Sequence, residues 1–112
     1  MNISVEQRTA VTIVCIEGSV DGTTADQLLT ALQAQLDAGN VNLVADLKGV
    51  SYTSSAGLRS LLATVKLARQ RGGDFRLAGP VPGVHRVLEL SGFTSILKMF
   101  GAVDDAVASF VV

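Results

Sequence analysis

Hydrophobic residues recur along the chain with two spacings, one typical of strands and the other typical of helices. Short β-branched and aliphatic runs predict strands over residues 2–7, 11–17, 41–47 and 74–78. Apolar residues at helical spacing predict longer helices after Thr23 and Ser55, and shorter ones near Val84 and Asp104. Residues 96–100 are expected to form a further short strand. Two strands followed by alternating helices and strands predict an α/β fold with a mixed sheet of about five strands.

The second predicted strand is expected to be the central one, because residues 11–16 are apolar on both faces. Cys15 lies within this run and is therefore assigned to the core. Only residues 8–10 separate this strand from the first, which favours an antiparallel hairpin. Residues 18–22 are then expected to form a loop.

The first helix is expected to begin at Thr23 as its N-cap, with Asp26 supplying the carboxylate of a capping-box variant. Gly39 and Asn40 are expected to end it in a left-handed cap. A single apolar stripe must face the core, and it consists of Ala25, Leu28, Leu29, Leu32 and Leu36.

The helix after Ser55 is also amphipathic, and it is expected to end at residues 72–73. Its inward positions are Leu58, Leu61, Leu62, Val65 and Ala68. Its outward positions include three basic residues, Arg59, Lys66 and Arg69. A basic helix face of this kind is most often simply solvated. Residues 79–83 are expected to form a loop, and the last helix carries apolar residues at Val107, Phe110 and Val111.

The composition narrows the classes of function. A chain of 112 residues with 48% hydrophobic and 17% charged residues is typical of one globular domain. No apolar run approaches the roughly 20 residues of a membrane helix, and the N-terminus lacks signal-peptide features, so we expect a cytoplasmic protein. The formal net charge of −1, with basic and acidic residues spread along the chain, gives no nucleic-acid footprint. The expected partners are proteins.

Catalysis and cofactor binding find little support in the sequence. One cysteine and one histidine exclude an internal disulfide and make a nitrogen or sulfur metal site improbable. The sequence has no Gly-x-Ser-x-Gly elbow that would supply a nucleophilic serine for His85 to activate. It also has neither a dinucleotide fingerprint nor a Gly-Lys-Ser/Thr phosphate loop. The sequence therefore predicts a protein that is not an enzyme and that binds no cofactor or metal.

Hydroxyl residues cluster where a buried strand gives way to a helix, over residues 51–55. A hydroxyl at a helix N-terminus can cap the unpaired N–H groups, and a phosphate is favoured there by the helix dipole. The simpler interpretation is that a serine here only caps the helix and is not a phosphate acceptor. Asp21 closes the loop after the preceding strand, and it would lie at the same sheet end if the two strands are parallel. For Asp21 the simpler role is that of a turn residue.

Residues 18–25 and 46–59 together resemble the two signature segments of STAS domains, the anti-sigma factor antagonists. The first reads Gly-Ser-Val-Asp-Gly-Thr-Thr-Ala, and the second begins with Asp-Leu-Lys-Gly-Val and ends with Ser-Ser-Ala-Gly-Leu-Arg. The Gly-Gly-Asp-Phe-Arg-Leu strand and the Leu-Ser-Gly-Phe segment extend the likeness over nearly the whole chain. The resemblance implies a single STAS domain over residues 1–112, with helices largely on one face of the sheet.

The resemblance also implies a switch. In this family a GHKL-type serine kinase, which is itself the anti-sigma factor, binds the antagonist and phosphorylates it, and a PP2C-type phosphatase reverses the modification. The acceptor position corresponds to Ser55. Ser54 stands where the family has an aspartate, which makes it an alternative acceptor, and Ala56 stands where a serine or threonine is usual.

The partner-binding surface that follows from the resemblance and from the outward basic face comprises Asp21, Thr53, Ser54, Ser55, Ala56, Gly57 and Arg59. Other STAS domains serve transport or stress-sensing assemblies without a phosphorylation cycle. A constitutive interaction subunit of such an assembly is therefore the alternative function.

Overall fold

A computed structural model describes residues 1–110 and contains one mixed sheet with helices on both faces. The elements are β1 (Asn2–Gln7), β2 (Thr12–Val20), α1 (Ala25–Asp37), β3 (Asn42–Thr53), α2 (Ser55–Gln70), β4 (Asp74–Ala78), α3 (Pro82–Leu90), a 3₁₀ turn (Phe93–Ser95), β5 (Met99–Phe100) and α4 (Val103–Ala108). Val111, expected in the last helix, lies outside the described residues.

The sheet has the order β1-β2-β3-β4-β5. β1 is antiparallel to β2, and the other neighbouring pairs are parallel. Helices α1, α2 and α3 share the main apolar core with one face of the sheet, whereas α4 closes a smaller cluster on the other face. The predicted α/β class is confirmed, and so is the prediction that the helices lie largely on one face, since only α4 packs on the other. No helix within residues 1–110 is long and apolar enough to span a membrane.

β2 and β3 extend well beyond their predicted ends. Residues 18–22 were expected to form a loop, but β2 continues to Val20, which pairs with Thr53 on β3. Seven steps along β3, from Asp46 to Thr53, pair with five steps along β2, from Cys15 to Val20, at two shifts in the register. Such bulges twist a strand and re-aim its end. Exposed polar residues on this two-stranded extension made it look like a loop in the sequence.

The prediction that Cys15 is inaccessible is wrong, and so is the central position of its strand. β3 is the middle strand, and β2 lies between β1 and β3. The Cys15 side chain belongs to the sheet face that only α4 covers, where it is half-buried beside a cleft that Asp46 and Lys48 also line. An apolar strand sequence does not reveal how much of each face the helices cover.

The ends of α1 differ in how well the sequence predicted them. The N-cap is Thr24 rather than Thr23, and its side chain makes no capping hydrogen bond, so the capping box with Asp26 does not form. The predicted left-handed end is confirmed. Gly39 has φ of +93°, its N–H lies 3.0 Å from the Leu36 carbonyl oxygen, and the Asn40 N–H lies 2.9 Å from that of Gln35.

The inner face of α2 is more polar than predicted. Leu61 is buried as expected, but Leu58 and Leu62 are only half-buried, and Ser60 and Thr64 are buried instead. α2 packs against α1, and the small side chain of Ser60 contacts α1 directly. The hydroxyl groups are satisfied there, because Ser60 donates to a carbonyl of α1 and Thr64 donates to the Ser60 carbonyl at 2.8 Å.

Arg69 was predicted to be merely solvated, but it joins α2 to its neighbours. It donates to Asp74 at 2.9 Å and to the Ile96 carbonyl at 2.7 Å. Burial raises the pKa of Asp74, but hydrogen bonds from Arg76 and Arg69 outweigh it and hold that pKa below its ordinary value.

The remaining differences concern short elements near the C-terminal end of the described residues. α3 begins at Pro82, inside the predicted loop of residues 79–83, because proline is well suited to the first turn of a helix. The predicted strand over residues 96–100 is reduced to Met99–Phe100.

The difference between Leu61 and Leu62 gives a stability prediction. Leu61→Ala should lower the free energy of unfolding by about 2–5 kcal/mol, because it leaves a cavity in the core. Leu62→Ala should cost clearly less, since part of its side chain already faces solvent. Urea unfolding of both variants measures the two losses. Equal losses would contradict the described orientation of α2.

Candidate functional site at the start of helix α2

The parallel pairing of β2 and β3 brings the predicted site residues to one end of the sheet. Val20 and Thr53 are register partners, and the Ser54 N–H continues the ladder by donating to the Val20 carbonyl at 2.8 Å. The chain then turns through Asp21 after β2 and through Ser54 after β3. The two turns therefore leave the sheet side by side.

The two serines at this turn have different environments. Ser54 is the N-cap of α2, with extended backbone at φ −94° and ψ 177°, and its side chain accepts from the Gly57 N–H at 3.4 Å. Ser55 is the first helical residue, and its side chain is exposed. The capping role considered for Ser55 in the sequence thus belongs to its half-buried neighbour. The sequence pattern does not show which of two adjacent serines is the N-cap, because that depends on the exact residue at which the helix begins.

Gly57 lets the first turn of α2 approach the sheet. A Cβ atom at this position would overlap the Thr53 Oγ1 and lie 2.8 Å from the Val20 Cγ1. Any side chain here would push the helix start away from both strands. Thr53 is itself buried at 8% exposure, and its hydroxyl lies 3.3 Å from the Ser54 carbonyl oxygen. These two predicted site residues shape the turn and leave little surface for a partner to contact.

Asp21 organises the turn that precedes α1. Its Oδ1 accepts from the Thr23 N–H at 2.8 Å and from the Thr23 hydroxyl at 2.7 Å. The Thr24 hydroxyl accepts from the Asp21 N–H and donates to the Ser19 carbonyl, both at 2.9 Å. Hydrogen bonds from Thr23 hold the pKa of Asp21 below its ordinary value, so the group is a carboxylate at neutral pH. The turn role weighed in the sequence is therefore present.

The electrostatics of the helix start favour an anion. The first turn of α2 contains no acidic residue, and its leading N–H groups lie at the positive end of the helix dipole. Ala56 is half-buried, whereas Arg59 is exposed one turn after Ser55. Residues four positions apart face the same side of a helix, so a phosphate on Ser55 would have a cation within reach.

Two residues that matter for this geometry were not singled out in the sequence. Val20 supplies the carbonyl that receives the Ser54 N–H, and Ser60 fastens α2 to the start of α1. The only available signal for Ser60 was a polar residue next to Leu61 on the inward face of the helix. The ends of β2 and β3, which carry the other predicted residues, lie side by side. Asp21 is partly exposed, and Ser55 and Arg59 are exposed.

Known proteins are similar in sequence to this chain over most of its length. The BtrV protein of Bordetella bronchiseptica, described by its name as a candidate anti-sigma factor antagonist, is 37% identical over 110 residues, which cover 98% of this chain and 95% of BtrV. The anti-sigma F factor antagonist of Paenibacillus polymyxa is 29% identical over 101 residues, covering 89% of this chain and 86% of its own.

Comparison with solved structures also finds an anti-sigma factor antagonist. The crystal structure of an anti-sigma factor antagonist from Mycobacterium paratuberculosis matches with a TM-score of 0.88 and 29% identity, over 96% of this chain and 92% of that one. The sequence model of the STAS domain matches residues 2–106, which include the whole sheet and the turns at its end. The chain belongs to the STAS domain family.

Proposed function

We propose that this chain is an anti-sigma factor antagonist that is switched by phosphorylation of Ser55. A GHKL-type serine kinase that is itself the anti-sigma factor binds the unphosphorylated form and so releases a sigma factor. Phosphorylation then ends the complex, and a PP2C-type phosphatase restores the binding form. The chain acts in the cytoplasm as a single domain over residues 1–112 and is a substrate, not an enzyme. The names of BtrV and of the Paenibacillus antagonist support the antagonist role in this proposal.

The observation that carries the proposal is the exposed Ser55 hydroxyl at the first position of α2. A kinase must reach the hydroxyl oxygen from solvent, and the exposed side chain allows this without opening the core. Ser54 is the weaker acceptor, because its oxygen caps the helix and its side chain is half-buried. Ser55 is accordingly the modified residue in the proposal, and Ser54 the residue that keeps the helix start in place.

A phosphate on Ser55 changes the surface more than the fold. It adds about −1.5 to −2 charges at pH 7. The N-terminus of α2 and the nearby Arg59 both favour that charge, so the domain should stay folded. A partner packed over the same turn must instead remove water from the charge, which is costly when no opposite charge is supplied. Release of the partner then follows without unfolding.

The proposed docking surface consists of two turns with different tasks. Asp21 supplies a negative charge on the turn after β2, and exposed Arg59 supplies a positive charge one turn after Ser55 on α2. Half-buried Ser54 and Ala56 flank Ser55 in the chain. Buried Thr53 and Gly57 contribute by keeping the helix start close to the sheet.

Single substitutions of the two serines separate acceptor from cap. Ser55→Ala should abolish phosphate incorporation from ATP with a cognate GHKL-type kinase, while leaving the free energy of unfolding nearly unchanged. Ser54→Ala should still accept phosphate, but should lose about 1 kcal/mol of stability with the cap. Intact-mass spectrometry and urea unfolding measure the two effects. Phosphate on Ser54 alone would contradict the assignment.

A second pair of variants tests whether charge ends the complex. Ser55→Asp should weaken binding to the kinase by at least about tenfold, or 1.4 kcal/mol, because the carboxylate must be desolvated in the interface. Ser55→Asn has nearly the same shape without the charge and should bind much more tightly than Ser55→Asp. Isothermal titration calorimetry measures both. Equal losses would indicate a steric effect, and tight binding by both variants would favour the constitutive interaction subunit.

The carboxylate of Asp21 can be tested apart from its turn. Asp21→Asn keeps an oxygen acceptor for the Thr23 N–H, so the melting temperature should change little, but loss of the charge should weaken kinase binding. Asp26→Asn is the matched control, since this exposed carboxylate lies in the first turn of α1. If both variants bind the kinase equally well, Asp21 serves the turn alone.

A further inference from the structure

The buried hydroxyl of Ser60 lies between the first turns of α1 and α2. The residue is 4% exposed, and its Oγ lies 3.0 Å from the Ala25 carbonyl oxygen and 3.2 Å from the Ala56 carbonyl oxygen. The contact with Ala56 is the usual bond of a helical serine to the preceding turn of its own helix. The contact with Ala25 is different, because that carbonyl belongs to the first residue of α1.

This link leads directly to the Asp21 turn. The Ala25 N–H donates to the Asp21 carbonyl at 2.9 Å, and the Asp21 carboxylate orders Thr23. A second link runs from the Ser54 N–H to the Val20 carbonyl. The Asp21 turn is thus tied to the start of α2 on both of its sides, once through the strand and once through the helix.

We propose that Ser60 is a positioning residue that fixes the Asp21 turn relative to Ser55, so that a kinase meets both groups in one geometry. The inference rests on the function proposed above. Ser60 is too deeply buried for a partner to contact, so it acts through Ala25. Loss of its hydroxyl leaves the Ala25 carbonyl available to the backbone of α1, and for this reason folding should change little.

Thr64 provides a matched control on the same helix. It is fully buried at 0% exposure, and its hydroxyl donates to the Ser60 carbonyl at 2.8 Å. That bond stays within α2 and reaches no part of α1. Thr64→Val therefore removes a buried hydroxyl of the same helix, as Ser60→Ala does, without touching the link between the helices.

The test compares the two variants in two measurements. The backbone amide chemical shifts of residues 21–24 are recorded in the unphosphorylated protein alone. The KM and kcat of Ser55 phosphorylation are then measured with the kinase that modifies the wild-type chain. Ser60→Ala should shift the turn amides and raise KM by about three- to tenfold with kcat little changed, as expected for lost positioning. Thr64→Val should do neither.

The two measurements separate the inference from the function on which it rests. Because the amide shifts need no kinase, unshifted turn amides in Ser60→Ala, or equal shifts in Thr64→Val, overturn the inference on their own. An unchanged KM in Ser60→Ala also overturns it. Failure of the wild-type chain to accept phosphate at Ser55 instead overturns the proposed function.

Discussion

The close approach of α2 to the ends of β2 and β3 is the constraint on which the candidate site depends. Gly57 permits it, because a Cβ atom there would overlap the Thr53 Oγ1. With the helix start this near, the Ser54 N–H can extend the β2–β3 ladder and its hydroxyl can cap the helix. The next residue, Ser55, has its side chain exposed to solvent. The position of the exposed hydroxyl is thus a result of backbone packing.

The same packing explains how a charge could be added without loss of the fold. The interior beneath the site is aliphatic, and its polar groups, Ser60 and Thr64, have partners inside the protein. A phosphate on Ser55 would lie outside this interior, at the positive end of the α2 dipole. It would alter what a partner must desolvate while leaving the core contacts in place. A fold whose surface charge can change while its core contacts stay in place suits a role in protein binding.

The sequence predicted the elements that show a regular hydrophobic spacing. It missed features that depend on contacts with other strands and helices. Strand bounds for residues 2–7 and 74–78 agree with the structure, because turns or glycines border these runs. The extension of β3 to Thr53 was missed, because its exposed polar residues are held by pairing with β2 through bulges. Exposure of Cys15 depends on the limited cover that α4 gives to its face. The candidate site was proposed from a motif, but only the register of the helix shows that Ser54 is its N-cap and that Ser55 is exposed.

The central claim is that phosphate on Ser55 changes a surface and not a fold. Amide hydrogen exchange of the wild-type chain, with and without phosphate, tests it most directly. The account predicts unchanged protection in β2, β3, β4 and residues 60–70 of α2, with differences confined to the turn at residues 21–24 and to the helix start at residues 54–59. Loss of protection throughout α2 would contradict it, because the phosphate would then act by unfolding the helix.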